Sequence, residues 1–325
     1  MNPYALIDLH LHLDGSLSLS SVRELAAMQG IAVDAEDDIL LKRLQVNPGC
    51  RNLNEYLEKF DFPCSLLQTP EALTRAVSNL RRELAQQGLL YAEIRFAPQF
   101  HLAQGLTQDQ VVEAAVAGLS GEGVKANLIL CCMRVPNSHE KNMETVRMAA
   151  KYLGKGVCAA DLAGAEALFP AAGFAEEFAL ARELGVPFTI HAGEAAGPES
   201  IRQALALGAK RIGHGVRCIE DEALMAELAE KGIPLEMCPT SNVQTCIFEK
   251  VSDYPLARLL DAGIRSTLNT DNMMVSGVTL SSEMDHMAAL LTPDQMRQVV
   301  NNSVEAVFAD EETRIWLRSA VAERL

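Results

Sequence analysis

Short runs of apolar or β-branched residues alternate along this chain with longer amphipathic stretches. Short apolar runs bounded by turn-forming residues are typical of buried strands. The pattern predicts eight strands, at Ala5–Leu11, Tyr91–Phe96, Ala126–Met133, Val157–Leu162, Pro187–Ile190, Arg211–Gly213, Pro234–Met237 and Ser266–Leu268.

The stretches between these strands have a helical period. In Glu71–Gln87, apolar residues recur at spacings of three and four from Leu73 to Leu84, which places them on one helix face. Ala172–Leu184 and Glu220–Lys231 show the same period, and each is followed by a glycine, which suits a helix C-terminus. Strands that alternate with helices predict a parallel sheet.

Eight strand–helix repeats favour a closed (β/α)₈ (TIM) barrel over an open, doubly wound α/β sheet. The region from Ser16 to Ser65 has no strand pattern, so we predict a helical insertion after the first strand. Because no linker or low-complexity tract interrupts the pattern, we expect one domain over residues 1–325.

Composition narrows the class of protein. With 49% hydrophobic and 22% charged residues in 325, the chain can bury a large core. The net charge of −15 argues against nucleic acid or an anionic membrane as partner. The sequence has no Cys-x-x-Cys pair and no apolar run long enough to span a bilayer, and its N-terminus does not have the pattern of a signal peptide. We therefore expect a cytoplasmic protein with reduced thiols. The sequence does not predict the oligomeric state.

Four of the seven histidines and two carboxylates lie at or just after the ends of predicted strands one, five, six and eight. In a (β/α)₈ barrel these ends converge on the face that carries the active site. Each motif alone could be an exposed strand residue, a turn or a loop cap, but together they favour a metal site. The side chains are His10, His12, His191, Glu194, His214 and Asp271. The other histidines, His101, His139 and His286, fall outside this pattern.

Three imidazoles and a carboxylate suit zinc, which keeps an open position for water in catalytic sites. Nickel or iron accepts the same ligand types, so zinc is inferred from ligand chemistry alone. We expect one Zn²⁺ per chain, because dinuclear hydrolases on this barrel carry a bridging lysine where strand four here ends in Asp161–Gly164.

Six motifs, in order and across almost the whole chain, resemble those of the adenosine deaminase family of the amidohydrolase superfamily. The signature of the cytidine-deaminase fold is absent. The matching motifs are His10–Ser16, Asp161–Gly164, His191–Glu194, Arg211–Gly215, Cys238–Asn242 and Asn269–Asp271.

The resemblance implies a zinc-dependent hydrolysis of adenosine, and of 2′-deoxyadenosine, to inosine and ammonia. Glu194 would protonate N1 of the purine while hydroxide attacks C6, since N1 protonation makes C6 electrophilic. His214 would orient the hydroxide, and Asp271 would accept the proton of the water. The implied zinc ligands are His10, His12, His191 and Asp271.

The resemblance also implies contacts to the substrate, which we expect from Asp14, Gly164 and Asn272, with His12 beside them. Asp14 would bind the ribose 5′-hydroxyl and repel a 5′-phosphate, and the Gly164 N–H would meet N3. Family members that act on adenine tend to carry glutamate at the position of Asp14, so the aspartate in this chain favours a nucleoside substrate. Most members have a second aspartate where this chain has Asn272, whose amide can donate to N7.

Three alternatives remain open at this point. The same chemistry could act on adenine, aminodeoxyfutalosine or a modified adenosine. The chain could instead be a non-catalytic relative, or it could hydrolyse an amide or phosphoester, although the absence of the bridging lysine argues against that third class.

A further expectation is that Arg51–Phe62 forms part of a lid over the pocket. Its apolar residues are expected to form helix core rather than ligand contacts: Leu53, Tyr56, Leu57 and Phe60.

Overall fold

The computed structural model describes residues 3–324, in which eight parallel strands follow one another around a barrel. Strands β1–β4 and β5–β8 each pair in sequence order, and all pairs are parallel. The strands are β1 Leu6–His12, β2 Leu89–Phe96, β3 Lys125–Arg134, β4 Val157–Gly164, β5 Thr189–Ala192, β6 Arg211–His214, β7 Leu235–Met237 and β8 Ser266–Leu268.

Two sets of backbone contacts join these halves. Between β4 and β5, the Ala160 N–H donates to the Pro187 carbonyl at 3.0 Å. Between β1 and the end of β8, the Asp271 N–H donates to the His10 carbonyl and the His12 N–H donates to the Asp271 carbonyl, both at 2.8 Å. The predicted (β/α)₈ barrel is therefore confirmed, and its last seam runs through residues predicted to bind metal.

Helices surround the barrel, and none in residues 3–324 is long and apolar enough to cross a membrane. The α-helices are α1 Leu19–Met28, α2 Asp37–Leu44, α3 Leu53–Leu57, α4 Asp61–Ser65, α5 Pro70–Gln86, α6 Gln108–Ala117, α7 His139–Tyr152, α8 Ala175–Glu183, α9 Pro198–Leu207, α10 Glu222–Lys231, α11 Pro239–Gln244, α12 Leu256–Asp261, α13 Met273–Ser276, α14 Leu280–Ala288, α15 Pro293–Ala306 and α16 Glu311–Ala322.

The insertion after β1 is helical, as predicted. It comprises α1 to α4 with short 3₁₀ turns at Asp14–Ser16 and Glu58–Phe60. Differences from the sequence pattern are confined to the ends of elements. The fifth strand begins at Thr189 rather than Pro187, since proline has no N–H to donate to a neighbouring strand.

The interior of the barrel holds charged side chains. Strand β2 is adjacent to neither β4 nor β7, so side-chain contacts between β2 and these strands must cross the interior of the barrel. Arg95 donates to Asp161 at 2.9 Å and to Glu236 at 2.8 Å, and Arg211 donates to Glu236 at 2.6 Å. All four residues are 0–1% exposed. Such a buried network keeps its charges only when each is paired, so it fixes the strands relative to one another.

Candidate active site

Four side chains from β1, β5 and the end of β8 bring their donor atoms within 4.8 Å of one another. They are His10, His12, His191 and Asp271. His12 Nε2 lies 3.3 Å from His191 Nε2 and 3.4 Å from Asp271 Oδ1, and His10 Nε2 lies 3.3 Å from Asp271 Oδ1. Ligands 2.1 Å from a tetrahedral zinc ion are about 3.4 Å apart, so the spacing fits one such cation.

The ring nitrogen of His10 that faces this group supports the fit. Nε2 is buried and has no hydrogen-bond partner among the described residues, despite its contact with Asp271. A buried polar atom without a partner is unfavourable. A cation at the centre of the four donor atoms satisfies it.

A second layer of carboxylates fixes the histidine rings. His10 Nδ1 lies 2.8 Å from Glu236 Oε2, and His191 Nδ1 lies 3.0 Å from Asp161 Oδ2. A carboxylate that accepts from Nδ1–H leaves Nε2 as the free lone pair. Burial opposes the charge of Glu236, but Arg95 and Arg211 outweigh it and hold its pKa well below the usual range.

Backbone strain occurs at two residues of this site. Asp271 has φ +61° and His214 has φ +59°, the left-handed region that non-glycine residues rarely adopt. Asp271 is held there by its backbone bonds to β1, and its Oδ2 accepts from Ser241 Oγ at 2.6 Å. Such strain persists where surrounding contacts determine it, and it is concentrated at functional sites.

Glu194 lies beside His214 at the wall of the cavity and is 3% exposed. Its Oε2 is 3.5 Å from His214 Nε2, and its Oε1 accepts from Asn242 at 3.4 Å and Thr245 at 3.3 Å. Burial, followed by the negative charge of Asp271, raises the pKa of Glu194 well above its usual value. A carboxyl that keeps its proton near neutral pH can act as an acid.

The tautomer of His214 is fixed through two residues. Tyr254 donates its hydroxyl to Asn242 Oδ1 at 2.9 Å, and Asn242 Nδ2 then faces His214 Nδ1 at 3.0 Å. Since an amide N–H can only donate, His214 Nδ1 accepts and Nε2 carries the hydrogen. Burial, with a smaller contribution from His10, lowers the pKa of His214 well below its usual value, so the ring is neutral.

A cavity of about 500 Å³ opens above these residues. The structure brings every sequence-predicted site residue together there, with His10 buried under the floor. The predicted residues that line the cavity are His12, Asp14, Gly164, His191, Glu194, His214, Asp271 and Asn272.

Asp14 and Asn272 occupy defined positions in the cavity wall. Asp14 accepts from Cys64 Sγ at 3.3 Å, and burial raises its pKa to about 6. A Cβ on Gly15 would lie 1.9 Å from Asn272 Oδ1, so only glycine allows the Asn272 side chain to pack there. The same Oδ1 is buried and has no partner in residues 3–324.

One part of the expectation for the lid was wrong, because its apolar residues face the cavity instead of forming helix core alone. Leu53, Tyr56, Leu57 and Phe60 all line the cavity, and Tyr56 also bonds Ser276 Oγ at 2.7 Å. The helical period in the sequence showed that these residues lie on one face of a helix, but it did not show that this face borders a cavity. The other three histidines are not among the lining residues, as expected.

Sequence reasoning missed Glu236, Arg95 and Glu166, which support the site from behind. For Arg95 and Glu236, a charged residue within an apolar strand, as in Leu235–Met237, was the available signal, whereas Glu166 lies in a loop and gave no such signal. Such residues in a buried parallel strand must be paired, which marks them as part of an internal network.

Comparison with known proteins identifies the family. The family model "Adenosine deaminase" matches residues 5–324. The adenosine deaminase of Haemophilus ducreyi is 49% identical, with 99% of this chain and 96% of the relative covered. That of Enterococcus faecalis is 38% identical, with 97% and 95% covered.

Solved structures of related deaminases share the fold. Adenine deaminase from Arthrobacter aurescens has a TM-score of 0.87 at 26% identity, with 99% of both chains covered. An Arabidopsis N6-mAMP deaminase has the same TM-score and identity, with 99% and 98% covered. An amidohydrolase from Burkholderia ambifaria with bound Zn has a TM-score of 0.86 at 20% identity, with 99% and 90% covered. The chain therefore belongs to the adenosine deaminase family and catalyses the hydrolytic deamination of adenosine.

Proposed function

We propose that this enzyme acts on the free nucleosides adenosine and 2′-deoxyadenosine and holds one zinc ion per chain. The proposed ligands are His10, His12, His191 and Asp271. The observation that carries the proposal is the set of four donor atoms within 4.8 Å at the floor of the cavity. These residues would hold the zinc, which when bound would supply an activated water, since a metal ion lowers the pKa of bound water towards about 7. The Burkholderia amidohydrolase, which has the same fold, contains Zn, in agreement with the proposal.

Glu194 is proposed to give its proton to N1 of the purine. N1 protonation withdraws electrons from C6, so that water can add there and ammonia can leave. His214, neutral and with hydrogen on Nε2, is proposed to orient the attacking water from its place beside Glu194. Asp271 is placed to take up one proton of the water and to pass it to the departing amino group, and the second proton of the water returns to Glu194 as the C6 carbonyl forms. Glu194 and Asp271 thus divide the acid and base roles, as their opposite pKa shifts permit.

The far end of the cavity favours a nucleoside over a nucleotide. Asp14 and Asp61 both line it, and two carboxylates would repel a 5′-phosphate. One guanidinium, that of Arg134, lines the same cavity, but it donates to the carbonyls of His191 and Leu162. The Arabidopsis neighbours described as N6-mAMP deaminase therefore share the fold without implying their substrate for this chain.

An ultraviolet assay with adenosine, 2′-deoxyadenosine, adenine and AMP tests the substrate proposal. We expect similar kcat/KM values for adenosine and 2′-deoxyadenosine, and values at least about 10²-fold lower for adenine and AMP. Adenine lacks the 5′-hydroxyl that would bind Asp14, and the 5′-phosphate of AMP would be repelled by the Asp14 carboxylate. Aminodeoxyfutalosine and N6-methyladenosine complete the panel. A higher kcat/KM for AMP, adenine or aminodeoxyfutalosine than for adenosine would contradict the proposal.

Replacing Asp14 by alanine is expected to raise KM for adenosine by about tenfold or more and to change kcat by less than about threefold, because the contact is remote from C6. Steady-state kinetics measure the split. 5′-Deoxyadenosine is the matched substrate: its KM should already be high with the unmodified enzyme and should rise little further with Asp14→Ala. An unchanged KM for adenosine would show that Asp14 does not bind the 5′-hydroxyl.

Asn272 is proposed to donate Nδ2–H to N7, because its Oδ1 is the amide atom packed against Gly15. We expect 7-deazaadenosine, which lacks this acceptor, to have a kcat/KM about 10- to 100-fold below that of adenosine. In Asn272→Ala the two substrates should become nearly equal. Equal rates for both substrates with the unmodified enzyme would exclude the contact.

A further inference from the structure

Glu166, in the loop after β4, is a buried carboxylate that the proposed function does not use. It is 2% exposed and reaches the turn that follows β5. Its Oε1 accepts from the Gly193 N–H at 2.6 Å and from Ser200 Oγ at 2.5 Å. Its Oε2 accepts from the N–H groups of residues 194–196 at 3.1, 2.6 and 3.1 Å. Five donors, four of them consecutive backbone N–H groups, thus converge on one carboxylate.

The turn needs such an acceptor. Gly193 has φ +73°, and a Cβ there would lie 2.4 Å from the Ile201 side chain. In this conformation successive N–H groups point to the same side, as in anion-binding nests. Without Glu166, four N–H groups close to the cavity would lack this acceptor, which backbone donors in a protein interior rarely do.

Glu194 lies in the middle of this turn, and its own side-chain contacts are long. Its carboxyl oxygens lie 3.3 to 3.5 Å from Thr245, Asn242 and His214. The bonds from the turn to Glu166 are 2.5 to 3.1 Å. The backbone of the turn is therefore anchored by shorter hydrogen bonds than those that the Glu194 carboxyl itself makes.

We propose that Glu166 is a positioning residue, which holds the turn of residues 193–196 so that the Glu194 carboxyl meets N1 of the purine. The inference rests on the proposed role of Glu194 as proton donor. Glu166 acts through Glu194, and nothing in its contacts brings it to the substrate. The negative charge of Glu166 also contributes, after burial and Asp271, to the raised pKa of Glu194.

The identity of the side chain matters because all five partners donate. A carboxylate accepts at both oxygens, whereas glutamine would point an NH₂ group at backbone N–H groups. Glu166→Gln therefore keeps the size of the side chain and removes part of its bonding. Glu177→Gln is the matched control: Glu177 is also buried, but it lies on α8 and contacts His139 on the outer side of the barrel.

The test compares kcat, KM and bound zinc in these variants with adenosine. We expect Glu166→Gln to lower kcat by about 10²-fold, the loss that a displacement of about 1 Å can cause, with KM within about threefold and zinc unchanged. Ser200→Ala, which removes one of the five donors, should lower kcat by about three- to tenfold with the same pattern. Glu177→Gln should leave both constants unchanged.

A double variant separates positioning from a general loss of structure. If Glu166 acts through Glu194, Glu166→Gln should cause no further loss of kcat in a Glu194→Gln background. Losses that multiply, or a folded Glu166→Gln enzyme with unchanged kcat, would overturn the inference. If Glu166→Gln does not fold, an unchanged kcat in Ser200→Ala would overturn it. Full turnover in Glu194→Gln alone would instead refute the proposed function, so the two failures are distinguishable.

Discussion

Glu194→Gln is expected to lower kcat for adenosine by about 10²- to 10⁴-fold, the usual contribution of a general acid, while bound metal stays unchanged. Glutamine has nearly the same shape but no acidic proton to give to N1. The residue lies outside the four proposed ligands, so the loss should be purely catalytic. Stopped assays of ammonia release, together with metal analysis of the same sample, measure both quantities.

Glu199→Gln is the matched control for this variant. Glu199 lies five residues further along, exposed in the first turn of α9, and its substitution should leave turnover unchanged. Product binding gives a second control, since inosine should bind Glu194→Gln within about tenfold of its affinity for the unmodified enzyme. A Glu194→Gln enzyme that turns over at the unmodified rate would show that another group protonates the purine.

Removing the metal should abolish deaminase activity, and the His10→Ala variant should fail to bind the metal again when it is added back. His10 is fully buried, and its Nε2 has no hydrogen-bond partner among the described residues, so its loss leaves three donors and a void beside Glu236. We expect metal affinity to fall by more than about 10²-fold, since even the loss of a residue that only hydrogen-bonds a metal ligand typically lowers metal affinity by about 10- to 100-fold. Chelation followed by dialysis, with zinc added back, measures this in both proteins.

The control for His10→Ala is His286→Ala. His286 is on α14 with its side chain about half exposed, and its nearest ion-pair partner is Glu283 at 3.9 Å. This variant should keep both metal and turnover. Recovery of turnover by metal-free enzyme without added metal, or a His10→Ala enzyme that binds zinc normally, would contradict the assignment of the ligands.

The sequence predicted the barrel and the residues at its mouth for the same physical reason. Period-two alternation places His10 and His12 on the inner side of β1, while Leu9 and Leu11 pack in the core. Parallel strands that close into a barrel bring their carboxyl ends together, so residues 261 positions apart meet without any local signal. The strand pattern and the polar residue at each end are both local, and both can be read from one chain.

Other parts of the site could not be predicted in this way. Tyr56 and Phe60 fit a helical period, and the period alone does not say whether a neighbouring helix or a cavity lies opposite. Glu166 has no periodic neighbour, and its partners are backbone N–H groups, which every residue but proline has. Their roles depend on loop conformations that only the folded chain defines.

X-ray absorption at the zinc edge of the active enzyme tests the metal centre most directly. Cys238 lies close enough to His10 and His214 to form an alternative donor set, so the element of each ligand atom discriminates between the two. We expect one zinc per chain with nitrogen and oxygen neighbours at about 2.0 to 2.2 Å and the scattering pattern of imidazole rings. A sulfur neighbour at about 2.3 Å, a second metal, or full turnover without any bound metal would contradict the account.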